Sequence, residues 1–147
     1  MRIGAGLALV IGIAGTAQAV AAPMSETEVA HAMQGCWNQT GWSDELKALA
    51  AENGVSVSTQ LCLKGGIQGA VTVVHCSTQH DLTECSTSEG QYAFHDEKFW
   101  RDFEGVASSC DILLEGRKQL TLKNCVSIDP PPAVEPIADA VYEKAAR

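Results

Sequence analysis

Two segments near the start of the chain have the apolar spacing of a helix. Ser25 with Glu28 three residues later forms a capping box, and apolar residues at helical spacing follow, which predicts a helix over residues 26–34. Ser43 is a typical N-cap for a second helix over residues 44–52, because acidic residues fill its first turn and an apolar stripe follows. The pattern therefore predicts two short helices.

From Val55 onward the apolar period changes from helical spacing to two. The alternation between Val55 and Leu61 predicts a strand, and further short apolar or alternating runs recur about every 8 to 12 residues. Gly65-Gly66 and Gly116 lie between these runs and predict turns there. Counting a first strand after Gly35, seven short strands are expected. The predicted fold class is mainly β, a small antiparallel barrel or sandwich with short N-terminal helices.

The two ends of the chain differ in composition from the region between them. Residues 1–19 carry a single early Arg2, an apolar stretch too short to span a bilayer, and Ala17-Gln18-Ala19, which is the pattern of a removable signal peptide. Residues 20–128 form the predicted β domain. Residues 129–147 begin with a Pro-rich linker and continue as a C-terminal tail, either a short helix over residues 137–147 that docks on the domain or a mobile extension.

Composition and charge narrow the classes of function. The chain has 147 residues, of which 46% are hydrophobic and 19% charged, as expected of one folded domain rather than a disordered chain. Its formal net charge of −8 argues against binding nucleic acid or an anionic membrane surface. No later segment has the length of a membrane span, so we expect a periplasmic or secreted protein that does not cross a membrane.

The cysteines indicate an oxidised framework. Six cysteines in an exported chain of this size are expected to form three disulfides, although six allow 15 connectivities. The set favoured here joins residues that bracket predicted turns and pairs the remaining two, namely Cys110 with Cys125, Cys76 with Cys85, and Cys36 with Cys62. Cys125 has the opposite strand parity to the apolar residues of its hairpin, so its pairing with Cys110 requires a bulge or a strand end.

Metal binding is the competing interpretation of one cysteine cluster. His75, Cys76, His80 and Cys85 bring imidazole and thiol groups together in sequence, and Zn²⁺ or copper prefers such ligands. Disulfide formation in an exporting compartment would consume the thiols, so no metal or cofactor is expected. The sequence contains no G-x-S-x-G nucleophile motif and no Gly-rich phosphate loop after a strand, and the prediction is that the protein is not an enzyme.

Aromatic residues suggest where a ligand would bind. Five of the eight aromatic residues fall between Tyr92 and Phe103, in one predicted hairpin. Most of them are expected to form the core, because aromatic side chains bury the largest areas. Trp100 has the opposite parity to Phe99 and Phe103, so it faces the other side of the sheet. The candidate ligand-binding residues are Trp100, Tyr92 and Phe94.

A short helix followed by Gly35-Cys36-Trp37 resembles the opening of the lipocalin, or calycin, family. The resemblance extends to small exported β-barrels, including periplasmic protease inhibitors. It implies a closed barrel whose base is closed by Trp37, and either an apolar small-molecule ligand or an exported protein as partner. The expected function is thus an exported binding or interaction domain. The alternative is a small periplasmic metal-binding protein or enzyme that uses His75, His80, Cys76 and Cys85.

Overall fold

The strands form a closed antiparallel barrel in which each strand pairs with the next along the chain and the last pairs with the first. The computed structural model describes residues 24–128 and 139–146, so the predicted leader and most of the Pro-rich segment lie outside the described residues. The elements are α1 (Glu26–Met33), β1 (Gly35–Gly41), α2 (Asp44–Glu52), β2 (Val55–Gly65), β3 (Gln68–Gln79), β4 (Leu82–His95), β5 (Lys98–Phe103), β6 (Val106–Glu115), β7 (Gln119–Ser127) and β8 (Ala140–Lys144). The predicted mainly β class with short N-terminal helices is confirmed, and the architecture is the barrel rather than the sandwich.

Both predicted helices are present and begin at the predicted caps. The Ser25 side chain accepts a hydrogen bond from the Glu28 backbone N–H, and the Glu28 carboxylate accepts one from the Ser25 backbone N–H. The Ser43 hydroxyl likewise accepts from the Leu46 backbone N–H at the start of α2. Neither helix is long and apolar enough to span a membrane in the described parts of the chain.

The barrel core is packed most densely toward the end covered by α1. Alternate residues of the strands point inward there and are buried, including the fully buried Trp37, Leu61, Val71, Phe99 and Leu120. Ala30 and Met33 of α1 join this cluster. The period of two along each strand thus places large apolar side chains inside the barrel.

Trp37 closes the barrel end beneath α1. Its indole N–H donates to the Met33 carbonyl at 2.9 Å. The Lys144 ammonium lies 4.4 Å from the centre of the Trp37 ring and donates to the Gln34 carbonyl. The Gln34 side chain in turn donates to the Tyr92 hydroxyl and accepts from the Gly65 backbone N–H. These contacts tie α1, the first strand and the last strand into one closed end.

The C-terminal tail differs from the sequence prediction. We expected seven strands and a helix or mobile extension over residues 137–147, whereas Ala140–Lys144 is an eighth strand. It pairs with β1 on one side and β7 on the other, so the predicted helix is wrong. The physical reason is that a helix of this length gains little alone, whereas a strand here pairs the free edges of two neighbours.

The three disulfides join the cysteines as the favoured set predicted. Cys36–Cys62, Cys76–Cys85 and Cys110–Cys125 have S–S distances of 2.04, 2.06 and 2.05 Å. The bulge required for the third pair is present, because the β6–β7 register shifts between Ser109 and Asp111. Opposite that shift Asn124 adopts a φ of +50°. Three disulfides fit a protein that resides in an oxidising compartment.

Candidate functional site

Trp100 lies on the outer surface of the barrel, in the middle of β5. Its neighbours across the sheet are Ala93 on β4 and Ser109 on β6. The preceding residue, Phe99, is completely buried inside the barrel. Because successive residues of a strand face opposite sides, the Trp100 ring is directed outward. This is the orientation that the sequence parity predicted.

A groove of about 530 Å³ surrounds Trp100 on this outer face. Its outward-facing lining residues come from four strands and are Gln68, Gln91, Ala93, Trp100, Asp102 and Ala107. Trp100 was predicted from the sequence as a ligand-binding residue, whereas the other five residues were not. Asp102 could have been predicted from the sequence, because it lies two residues after Trp100 on the same strand and so faces the same side. The residues from β3, β4 and β6 carry no such signal.

Gly90 allows the close approach of β4 and β5 beside the groove. A Cβ atom at Gly90 would lie 2.1 Å from the Asp102 carbonyl oxygen and 2.8 Å from the Phe103 ring. Any larger residue would force these two strands apart at this point. Pairing between β4 and β5 begins at the next residue, Gln91, which lies opposite Asp102. The absence of a side chain at Gly90 therefore lets the two strands that carry the groove lie close together.

The groove combines an apolar floor with a polar rim. The indole N–H of Trp100 donates to the His95 carbonyl at 2.9 Å, which orients the ring. Asp102 accepts a hydrogen bond from the Gly105 backbone N–H at 2.8 Å, which positions its carboxylate. An indole face beside a carboxylate and two amide side chains suits a partner side chain with an apolar or aromatic body, or a cation held by cation–π attraction.

The other two predicted ligand-binding residues lie on the inner side of the sheet. Tyr92 and Phe94 are only 3% and 4% exposed. Their rings contact each other and the ring of Phe99, with centroid distances between 5.4 and 5.9 Å. The Tyr92 hydroxyl donates to the Gly66 carbonyl, which completes its polar contacts. Tyr92 borders the groove, but the two side chains belong to the barrel core, so the three predicted residues do not form one surface.

The residues of the metal alternative are also separated by the structure. Cys76 and Cys85 are bonded to each other, so neither offers a thiolate ligand. The His75 ring forms a hydrogen bond with the Thr59 hydroxyl at 2.9 Å. His80 lies in the turn between β3 and β4, with a φ of +50°. No group of three or more metal-ligating side chains occurs within residues 24–128 and 139–146.

Two groups away from the groove have shifted pKa values. Hydrogen bonds from Lys98 and Asn124 lower the pKa of Asp111, which pairs with the Lys98 ammonium at 2.6 Å. Burial raises the pKa of Tyr142 on β8, while a hydrogen bond and the charge of Arg101 oppose that shift. Arg101 also donates to the Ser108 hydroxyl at 3.1 Å. The contacts of Asp111 and Ser108 join neighbouring strands, whereas the contact between Tyr142 and Arg101 joins β8 to β5, which are not neighbours in the sheet.

Comparisons with protein-family models, with curated proteins and with solved structures find no match to this chain. The barrel itself is consistent with a calycin-like architecture, since eight antiparallel strands close on themselves in chain order.

Proposed function

We propose that this protein is an exported binding domain that engages another exported protein through the groove at Trp100. The observation that carries the proposal is the placement of this tryptophan, which lies outside a barrel whose densely packed end is filled by its own side chains. Tryptophan in a concave surface with a polar rim is typical of the residues that dominate protein–protein binding energy.

A protein partner fits these observations better than an apolar small molecule in a barrel cup. The residues that would line such a cup, including Trp37, Phe94 and Phe99, are packed against one another or against α1. Among the functions that the lipocalin-like opening implies, inhibition of an exported protease therefore has more support than transport of an apolar ligand. The metal alternative has less support, since its two cysteines form a disulfide.

Export to the periplasm or the extracellular space is part of the same proposal. Three disulfides support it, because such bonds persist in oxidising compartments. The leader pattern of residues 1–19 supports it independently. N-terminal sequencing of the native protein is expected to begin at Val20 or within a few residues of it. An intact Met1 on protein purified from the cytosol would refute export.

The binding role is tested with paired alanine variants of the partly exposed Trp100 and of an exposed apolar residue elsewhere. Trp100→Ala removes the groove floor, and Leu49→Ala removes a 59% exposed side chain on α2 as the matched control. Both variants and the unmodified protein are screened by biolayer interferometry against proteases exported by the same cells. We expect Trp100→Ala to weaken binding about thirtyfold, as loss of a hot-spot residue does, and Leu49→Ala to leave it within about twofold.

Thermal unfolding of the same variants separates binding from folding. Trp100→Ala is expected to keep the fold, because its ring lies on the outer face. Equal affinity of the two variants would overturn the proposed function. So would a Trp100→Ala variant that loses binding only because it is unfolded.

A further inference from the structure

Part of β4 presents an unpaired edge of the sheet. β3 pairs with β4 along its whole length, from Gln68 opposite Ala93 to Gln79 opposite Leu82. β5 pairs with β4 only over Gln91–His95. Within the described residues, the segment Leu82–Glu89, here called the β4 edge, therefore has a neighbouring strand on one side only. Every residue of the β4 edge is exposed.

The geometry of the Cys76–Cys85 pair shows which backbone groups point away from the sheet. Their Cα atoms are 4.1 Å apart, which is the spacing of a non-hydrogen-bonded pair in an antiparallel ladder. The N–H and C=O of Cys85 consequently point away from β3, toward the unpaired side. Because this direction alternates along a strand, the backbone groups of Thr83 and Thr87 point the same way.

The β4 edge is linked to β3 by side chains and lacks two of the usual protections against pairing, lysine and proline. The Cys76–Cys85 disulfide and a 2.9 Å hydrogen bond between the Thr78 and Thr83 hydroxyls join it to β3. Natural edge strands are commonly blocked by lysine, proline or a covering element. The sequence of Leu82–Glu89 contains neither lysine nor proline. A preorganised edge of this kind lowers the entropy cost of adding another strand.

The charge around the β4 edge indicates what kind of strand would add to it. Asp81, Glu84 and Glu89 lie on or beside the edge, and residues 65–97 contain no lysine or arginine. The ion pairs of the described residues include none of these three carboxylates. A second copy of this chain would bring the same carboxylates against them and carries a net charge of −8, so self-pairing is disfavoured.

We propose that the β4 edge binds an extended, basic segment of another polypeptide by strand addition. The backbone groups of Thr83, Cys85 and Thr87 form the new ladder. Glu84 and Glu89 lie on opposite faces of β4, so lysine or arginine side chains at alternate positions of the segment lie near Glu84 or near Glu89, according to the face that they occupy. This surface is separate from the groove at Trp100, and the proposal does not rest on the proposed function.

The test uses the mature, oxidised protein and two synthetic probes of eight residues. One peptide alternates lysine with threonine, and the other alternates glutamate with threonine. Amide hydrogen exchange followed by NMR reports on each backbone N–H of β4 separately. The lysine peptide is expected to slow exchange at Thr83, Cys85 and Thr87. The amides of Glu84 and Ser86, which point toward β3, are protected with or without it.

Variants separate the backbone contribution from the charge contribution. Thr87→Pro removes one outward N–H. It is expected to weaken binding of the lysine peptide at least about fivefold, as loss of one net hydrogen bond does. The double variant Glu84→Gln, Glu89→Gln keeps the backbone and is expected to weaken binding about three- to tenfold at low salt. Glu143→Gln removes one carboxylate from β8, a strand paired on both sides, and is expected to stay within about twofold.

Three results would overturn the proposal. The first is equal protection of the β4 amides by the lysine and glutamate peptides, because charge would then play no part. The second is protection of Thr83, Cys85 and Thr87 without any peptide in a protein of doubled mass, which would identify a second copy as the occupant. The third is unchanged binding in the double glutamine variant, which remains informative even if Thr87→Pro unfolds the protein.

Discussion

Replacing Trp37 by alanine is expected to destabilise the barrel more than any other single aromatic change. Its side chain is completely buried, and its indole N–H donates a hydrogen bond to the carbonyl of Met33, the last residue of α1. Large-to-small changes at such positions cost about 3 to 5 kcal/mol of unfolding free energy, from lost burial and the cavity left behind. A small domain has a total of about 5 to 15 kcal/mol, so the variant retains little margin.

Two partial changes divide this effect into its sources. Trp37→Phe keeps an aromatic ring and leaves the Met33 carbonyl without its donor, which costs about 1 to 3 kcal/mol. Trp100→Ala is the matched control on the outer face and is expected to cost about 1 kcal/mol or less. Urea unfolding of the oxidised proteins, followed by far-UV circular dichroism, measures all three. The reasoning is refuted if Trp37→Ala lies within about 1 kcal/mol of the unmodified protein, or if Trp100→Ala is equally destabilised.

Two further predictions concern β8. A chain ending at Ile128 leaves β1 and β7 without their shared neighbour, so its thermal unfolding is expected to lose the cooperative transition; a truncated protein with an unchanged melting temperature would contradict the closing role of β8. Burial raises the pKa of Tyr142 above its ordinary 10.0, so the neutral form is favoured in the folded state. Its stabilising contribution is therefore present below pH about 10 and is lost as the pH rises through the folded-state pKa. Tyr142→Phe is expected to lose less stability than the unmodified protein between pH 9 and 11 in urea titrations, and identical pH dependence would contradict this assignment.

Local features of the fold were predictable because each depends on neighbours in sequence. The capping box of Ser25 and Glu28 lies within one turn, and both of its hydrogen bonds form. Cys110 and Cys125 flank one hairpin, which indicated the pair, and the opposite parity of Cys125 indicated that a bulge or a strand end was needed. In each case the contacts that stabilise the feature join residues close in sequence. The local pattern of polar and apolar residues is therefore enough to predict them.

The eighth strand could not be predicted in the same way. Ala140–Lys144 has a weak local pattern, and its conformation depends on edges supplied by β1 and β7. β1 lies about a hundred residues earlier, as the hydrogen bond from Thr40 to the Val141 carbonyl illustrates. Pairing with two existing strands outweighs the small helix preference of a short segment, a comparison that no local window contains.

The sequence by itself determined the mainly β fold class and the side of the sheet on which Trp100 lies, and it favoured one set of disulfides among the 15 that six cysteines allow. Alternation along a single strand is enough to assign that side, because successive side chains point to opposite faces. Tertiary structure alone decided that the barrel closes through Ala140–Lys144 and that Gln68, Asp102 and Ala107 meet around Trp100. It also decided that Leu82–Glu89 pairs with β3 and with no second strand in the part of the chain that the structure describes. A groove and a sheet edge depend on which strands become adjacent, and adjacency is set by the packing of the whole chain rather than by the residues of any one strand.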